Sequence, residues 1–219
     1  MTELLRIAAL GGVLGLDTTG VGQLMVSRPI VAGALTGWVS GSPATGIAVG
    51  AILELYLLVS FPMGGARFPD GSAATVVAVA SATPFDGSGV IPLSVAVGLV
   101  WGQVAGATIT GQRHLNTRLV PAAGESMGPS RVRIGHLAAI AADFVRAAVV
   151  TMVGVVLGRL AVGAVVDQWP LAPAPSMALL LVGGSVSLGI LLNDLGGFRK
   201  RGLWLVAGML LGLLGTQLL

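Results

Sequence analysis

Long apolar runs dominate this chain of 219 residues, and short stretches rich in Gly, Pro and charged residues separate them. Only 10% of the residues are charged, whereas about 25% is usual in a soluble globular domain. Most of such a chain must face lipid or other apolar segments. Because about 20 apolar residues cross a bilayer, the chain has room for about six to eight membrane segments. We therefore expect an all-α, polytopic membrane protein that forms a single membrane domain over residues 1–219.

The apolar runs predict eight segments of unequal length. They lie at residues 7–26, 29–39, 45–61, 72–83, 90–109, 135–166, 177–192 and 203–219. The second and the fourth are too short to cross about 30 Å of hydrocarbon as straight helices. We expect them to be re-entrant or discontinuous helices, which commonly mark the binding site of a transporter. The N-terminal half is therefore the expected location of a functional site.

Positive charge is concentrated in two polar stretches, residues 112–134 and 193–202. Lys and Arg accumulate in the cytoplasmic loops of membrane proteins, so both stretches are predicted to be cytoplasmic. Residues 167–175 contain no Lys or Arg and are predicted to be external. Asp17 interrupts the first apolar stretch, which argues against a cleaved secretory signal, and we expect that stretch to belong to the mature protein.

Glycines recur four residues apart in several apolar segments. Such spacing places small residues on one helix face, where they allow neighbouring backbones to approach closely. The stripes are Gly33, Gly37 and Gly41; Gly46 and Gly50; Gly98, Gly102 and Gly106; Gly154 and Gly158; and Gly208 and Gly212. Glu54 continues the stripe of Gly46 and Gly50, so we expect its carboxylate to point into the protein and not toward lipid.

Several classes of site are disfavoured by the sequence. The chain has no cysteine, which excludes disulfides and thiolate metal sites. Lys200 is the only lysine, so no phosphate-binding loop of the Walker type exists, and His114 and His136 lack metal-ligand spacing. No basic stripe is interleaved with aromatic residues, so nucleic-acid binding is not indicated. We expect no cofactor, no metal and no catalytic activity of the chain by itself.

Polar side chains within the apolar N-terminal half are the candidate functional residues, because ionisable groups inside a membrane protein are functional candidates by default. They are Asp17, Gln23, Arg28, Glu54, Arg67 and Asp70. Carboxylate and amide oxygens can accept hydrogen bonds from sugar hydroxyls.

Each candidate also has a structural interpretation. Arg28 is equally suited to be an interfacial anchor, and Asp70 to cap a helix that starts at Gly71. For Glu54, the structural interpretation is an ion pair with Arg28 or Arg67. For Asp143 and Arg146, three residues apart on one predicted helix, an ion pair is the favoured interpretation.

An ordered series of motifs resembles the IIC membrane subunit of the mannose/sorbose-type phosphotransferase sugar transporters. The series comprises Ser27-Arg-Pro-Ile-Val-Ala-Gly33, Leu35-Thr-Gly-Trp-Val-Ser-Gly41, Thr45-Gly46, Gly50-Ala-Ile-Leu-Glu-Leu55, Gly64-Gly-Ala66 and Pro69-Asp70. The resemblance is good over roughly residues 13–83, weaker in residues 92–103 and 143–146, and fades after them.

The resemblance implies a sugar-translocating subunit in the bacterial inner membrane. Its partners would be a second membrane subunit, IID, and cytosolic IIA and IIB subunits that carry the phosphoryl group to the sugar. IIC and IID pairs would form a higher oligomer. Residues at matching polar positions of the family pattern are Asp17, Gln23, Arg28, Glu54 and Asp70. Alternatives are a non-transporting scaffold or sensor of the same fold and an unrelated ion-coupled transporter.

Overall fold

Eight α-helices make up most of the computed structural model, which describes residues 1–60, 66–119 and 128–215. These ranges contain no β-strand, and the all-α prediction is confirmed. The helices are α1 (Thr2–Thr19), α2 (Pro29–Val39), α3 (Pro43–Tyr56), α4 (Gly71–Ala82), α5 (Val90–Asn116), α6 (Pro129–Val165), α7 (Pro173–Asp194) and α8 (Phe198–Gly215). Short 3-10 turns follow α5 at Thr117–Leu119 and α6 at Val166–Gln168.

Within the described part of the chain, three helices are long and apolar enough to cross a membrane, counting their short 3-10 extensions: Val90–Leu119, Pro129–Gln168 and Pro173–Asp194. In contrast, α2 and α4 contain 11 and 12 residues, which at about 1.5 Å per residue is roughly half of the hydrocarbon thickness. The short second and fourth segments are therefore confirmed. Helix α3, with 14 residues, is also short because it ends at Tyr56, before the predicted boundary at residue 61.

The short helix α4 lies at the centre of the fold. It packs against α1, α2, α3, α5 and α6, and every residue from Ser72 to Ala82 is buried. Its sequence consists almost entirely of Ala, Val, Ser and Thr, so neighbouring helices can come close on all sides. The structure thus places a helix too short to span a membrane where it is covered by protein on every side.

Glycines bring α2 and α3 together as a hairpin of touching backbones. A Cβ atom added to Gly37 would lie 2.8 Å from the Cα of Gly46, and one added to Gly33 would lie 2.7 Å from the Cα of Gly50. Contacts this short do not occur in real structures, so only glycine fits here. The prediction of close packing at these positions is confirmed.

Two differences from the predicted segments have a clear cause. Helix α1 ends at Thr19, not at residue 26, because the carboxylate of Asp17 binds backbone N–H groups of the following loop. The described residues of the basic stretch 112–134 are mostly helical, because α5 continues to Asn116 and α6 begins at Pro129. Residues 120–127 lie outside the described part of the chain.

Three glycines of the predicted stripes have no close neighbour among the described residues. A Cβ atom added to Gly208 or Gly212 of α8 would have no neighbour within 4 Å among the described residues. Gly41 lies after α2 in a left-handed turn, with a φ of 76°, and is likewise open. The stripes of α2, α3, α5 and α6 therefore pack against other described residues, whereas Gly208 and Gly212 of α8 do not.

Candidate functional site

A cavity of about 360 Å³ lies where the end of α1, the loop before α2, the end of α3 and the start of α4 meet. We call it the first cavity. It is lined by Asp17, Thr18, Gln23, Met25, Ser27, Arg28, Pro29, Glu54, Leu57, Ser60, Phe68, Pro69, Gly71 and Ser72. Its volume falls within the range of about 300 to 1,000 Å³ that is usual for small-molecule sites.

Four of the five predicted site residues line this cavity: Asp17, Gln23, Arg28 and Glu54. They come from three separate elements, so the fold, and not sequence proximity alone, brings them together. The fifth, Asp70, lies directly beside the cavity, between the lining residues Pro69 and Gly71, and is buried. Arg67 is exposed and is not part of the lining.

An ion pair joins two of these residues across the α2–α3 hairpin. An Nη2 proton of Arg28, the residue before α2, is donated to Oε1 of Glu54 near the end of α3. The backbone N–H of Ile30 donates to Oε2 of Glu54 at 3.3 Å. The side chains remain 35% and 18% exposed, respectively, so the pair stays accessible from the cavity. A carboxylate offers about four acceptor positions, which leaves Glu54 free to bind a ligand hydroxyl as well.

Asp17 organises the loop that carries Gln23 and Arg28. Its Oδ1 accepts a hydrogen bond of 2.6 Å from the backbone N–H of Leu24, and its Oδ2 accepts one of 2.8 Å from that of Ser27. Gln23 has a φ of 49°, a left-handed conformation that costs a non-glycine residue about 1–3 kcal/mol and is common at functional sites. The two bonds from Asp17 stabilise this unfavourable loop conformation.

Asp70 is connected to the cavity lining through the hydroxyl of Ser72. It is the N-cap of α4: its Oδ1 accepts hydrogen bonds from the backbone N–H of Ala73 at 3.0 Å and from Oγ of Ser72 at 2.7 Å. Ser72 in turn lies 3.3 Å from the hydroxyl of Thr18, and both line the cavity. Asp70 is 2% exposed. The structure thus shows Asp70 in the capping role, and any role of Asp70 in ligand binding would be indirect.

The electrostatic character of the lining suits a neutral polar ligand. Its charged side chains are Asp17, Arg28 and Glu54. Arg28 and Glu54 neutralise each other, and the charge of Asp17 is bound by backbone N–H groups. No group of three His, Cys, Asp or Glu side chains in residues 1–60, 66–119 and 128–215 is placed to hold a metal ion.

Some lining residues were not among the candidates identified from the sequence. The hydroxyls of Thr18, Ser27, Ser60 and Ser72 add hydrogen-bonding groups, and Phe68 adds an aromatic wall. Ser72 follows Asp70 at the start of a helix, a pattern that signals a capped helix N-terminus and was a usable clue. Thr18 and Ser60 stand in no motif, and only the three-dimensional packing identifies them.

Comparison with known proteins gives a family and a fold. The family described as "PTS system sorbose-specific iic component" matches residues 1–193, a range that ends before α8. A solved structure described as "Structure of membrane protein" is similar with a TM-score of 0.74 and 16% identity, over 100% of this chain and 93% of that chain. At that identity the likeness shows the fold alone. No curated protein matches the chain.

Proposed function

The chain belongs to the family of sorbose-specific IIC components of the phosphotransferase system, and from this premise we propose that it binds a hexose-type sugar in the first cavity and presents it to a IIB subunit for phosphorylation. Membership makes it a membrane component of a sugar transport system. The proposal adds the place of binding, the ligand class and the step that follows.

The convergence of the polar residues on one cavity carries this proposal. Asp17, Gln23, Arg28 and Glu54 lie around a volume of about 360 Å³ bounded by the broken helices of the N-terminal half. Discontinuous helices are a common way of building transporter binding sites, because their ends expose backbone and side-chain polar groups inside the membrane.

Different roles follow from the contacts of each residue. Glu54 is the principal acceptor for sugar hydroxyls. Its ion-pair partner Arg28 and Gln23, which also line the cavity, donate further hydrogen bonds. Asp17 and Asp70 are positioning residues: Asp17 holds the loop of Gln23 and Arg28, and Asp70 holds the hydroxyl of Ser72.

The phosphoryl chemistry belongs to other subunits in this proposal. The two histidines of the chain, His114 and His136, lie near the end of α5 and in the N-terminal part of α6 and do not line the first cavity. We assign the transfer of the phosphoryl group to cytosolic IIA and IIB subunits. A IID subunit completes the unit in the bacterial inner membrane, as IIC–IID pairs in a higher oligomer.

Binding and uptake with and without the partners test the proposal. The chain is purified alone and together with IID, and equilibrium binding of a panel of hexoses, including sorbose, is measured. Liposome uptake with IIA, IIB and phosphoenolpyruvate is then measured for both preparations. We expect binding of at least one hexose by the IIC–IID complex and uptake only when all subunits are present.

Three results would contradict parts of the proposal. If a complete, monodisperse complex binds no hexose, hexose-type sugars are not its ligands. Binding without uptake in the presence of all subunits would favour a sensor over a transporter. Robust uptake by the chain alone would overturn the need for IID.

A further inference from the structure

A second cavity, of about 250 Å³, lies beside the first between the end of α1, the C-terminal part of α5 and the N-terminal half of α6. Its polar lining consists of Thr19, Gln112, Arg113, Asn116, His136 and Asp143. None of these residues lines the first cavity. The role proposed above for the chain does not use them.

The two cavities share a wall. Thr18 lines the first cavity and Thr19, the next residue, lines the second. The guanidinium of Arg113, in the second cavity, lies 5.6 Å from the ring centre of Phe68, which lines the first. The two cavities are therefore immediate neighbours, separated by Thr18, Thr19 and Phe68.

The second cavity lies toward the end of the molecule that is predicted to be cytoplasmic. Its residues on α5 and α6 lie near the helix ends that carry Arg118, Arg131 and Arg133. This is the side on which the proposed function releases its phosphorylated product.

The charges of the second cavity differ from those of the first. Asp143 is already neutralised, because Oδ1 accepts from Nη2 of Arg146 at 2.7 Å and Oδ2 accepts from the hydroxyl of Thr19 at 2.7 Å. Arg113 contacts the ring of Phe68 and the carbonyl oxygen of Ala66, and it has no carboxylate partner among the described residues. An uncompensated guanidinium thus faces the cavity.

Two further kinds of group are available beside Arg113. His136 is exposed, makes no hydrogen bond within the described ranges, and can donate to an anion. The amides of Gln112 and Asn116 are joined by one hydrogen bond of 2.9 Å, which leaves an amide oxygen and most N–H groups free for hydroxyls. Arginine and histidine are typical phosphate-binding groups, whereas amides suit a sugar ring.

We infer that the second cavity is an exit site that binds the phosphorylated sugar, with Arg113 and His136 on the phosphate and the Gln112 and Asn116 amides on the sugar hydroxyls. The inference rests on the proposed function and adds the site of the product. The neutral sugar and its anionic ester thereby occupy adjacent cavities of different charge.

Ligand binding to variants of the IIC–IID complex tests the inference. The probes are a hexose that the wild-type complex binds, the 6-phosphate of the same hexose, and inorganic phosphate. Arg113→Gln and His136→Gln remove the two phosphate-binding groups. Arg118→Gln is the matched control, because Arg118 lies close to Arg113 in the chain but is exposed and outside both cavities. Arg28→Gln tests the alternative that the ester binds in the first cavity.

We expect Arg113→Gln to weaken hexose phosphate binding about tenfold or more, since a hydrogen bond to a charged group is lost. His136→Gln should weaken it to a smaller extent, and neither should change hexose affinity by more than about threefold. Arg118→Gln should bind all probes as the wild type does, and inorganic phosphate should follow the same order more weakly.

Three outcomes would overturn the exit site. They are a wild-type complex that binds the hexose but not its phosphate, unchanged hexose phosphate affinity in both Arg113→Gln and His136→Gln, and loss of hexose phosphate binding in Arg28→Gln alone. These outcomes leave sugar binding in the first cavity intact. A complex that binds no hexose at all would instead overturn the proposed function, and the exit site with it.

Discussion

Arg28 and Glu54 form an ion pair that joins the start of α2 to the last turn of α3 inside the first cavity. The pair is internally neutral, so it offers no net charge to a charged ligand. It favours a ligand that forms hydrogen bonds with both partners. A neutral polyhydroxyl compound does this without separating the charges. In the proposed function, the pair therefore favours the unphosphorylated sugar over its phosphate ester.

Glu54→Gln should weaken sugar binding by the IIC–IID complex. The change keeps the shape of the side chain but removes its charge, so hydrogen bonds worth about 1.5 to 3 kcal/mol weaken, which corresponds to roughly ten- to more than hundredfold in affinity. Equilibrium sugar binding by purified, monodisperse complex measures the effect.

Glu3→Gln is the control for this change. Glu3 also forms an ion pair, with Arg159, but it does not line the cavity, and the variant should bind sugar normally. If Glu54→Gln lowers only the folded yield and the surviving complex binds sugar as the wild type does, Glu54 is a structural partner of Arg28 and not a ligand.

Gly46→Ala should disrupt the α2–α3 hairpin, whereas Gly208→Ala should be tolerated. The added Cβ at Gly46 would lie 2.7 Å from the Cα of Gly37, but at Gly208 it would meet nothing within 4 Å of the described chain. Overpacking of this kind costs about 1–3 kcal/mol. The thermal midpoint and the monodisperse yield of both variants measure the difference, and equal values would refute the close packing of the hairpin.

The order and positions of the helices could be predicted because composition alone marks them. Pro29 and Pro43 occupy the first turns of α2 and α3, and the apolar runs end where polar residues begin. Helix ends were less predictable where polar residues continue a helix, as in the last turns of α5. In these turns hydrogen bonding within the helix, and not hydropathy, sets the boundary.

The first cavity could be predicted in part, because ionisable residues are rare in apolar segments and are therefore recognisable as functional candidates. A capping role of Asp70 could be expected from its place directly before the helix that starts at Gly71, but no sequence pattern shows whether its carboxylate also reaches a ligand. The second cavity could not be predicted. It joins Thr19, Gln112 and His136 from three distant segments, and no local motif connects them.

Cysteine labelling should place the start of α6 and the end of α7 on the cytoplasmic side and the α6–α7 connection outside. The chain has no native cysteine, so Ser130→Cys, Ala172→Cys and Asn193→Cys each report one exposed position. Ser176 is unsuitable because it is 2% exposed and bonded to the indole N–H of Trp169.

An impermeant external reagent should modify only Ala172→Cys in intact cells. The physical reason is the concentration of Arg and Lys near Ser130 and Asn193, which opposes translocation of these segments. Labelling of the other two positions with protection of Ala172→Cys would invert the topology, and with it the assignment of the second cavity to the cytoplasmic side.

Substitution of Asp70 should separate capping from ligand binding. Asp70→Ala removes the acceptor for the backbone N–H of Ala73 and for the hydroxyl of Ser72, and the loss of an N-cap costs about 0.5–2 kcal/mol. Because α4 is buried on all sides, we expect a lower thermal midpoint and weaker sugar binding together.

Asp70→Asn retains a side-chain oxygen, and asparagine caps helices about as well as aspartate. It should therefore keep both the stability and the sugar affinity close to those of the wild type. A stable Asp70→Asn complex whose sugar affinity falls as far as that of Glu54→Gln would instead show that the charge of Asp70 acts on the ligand.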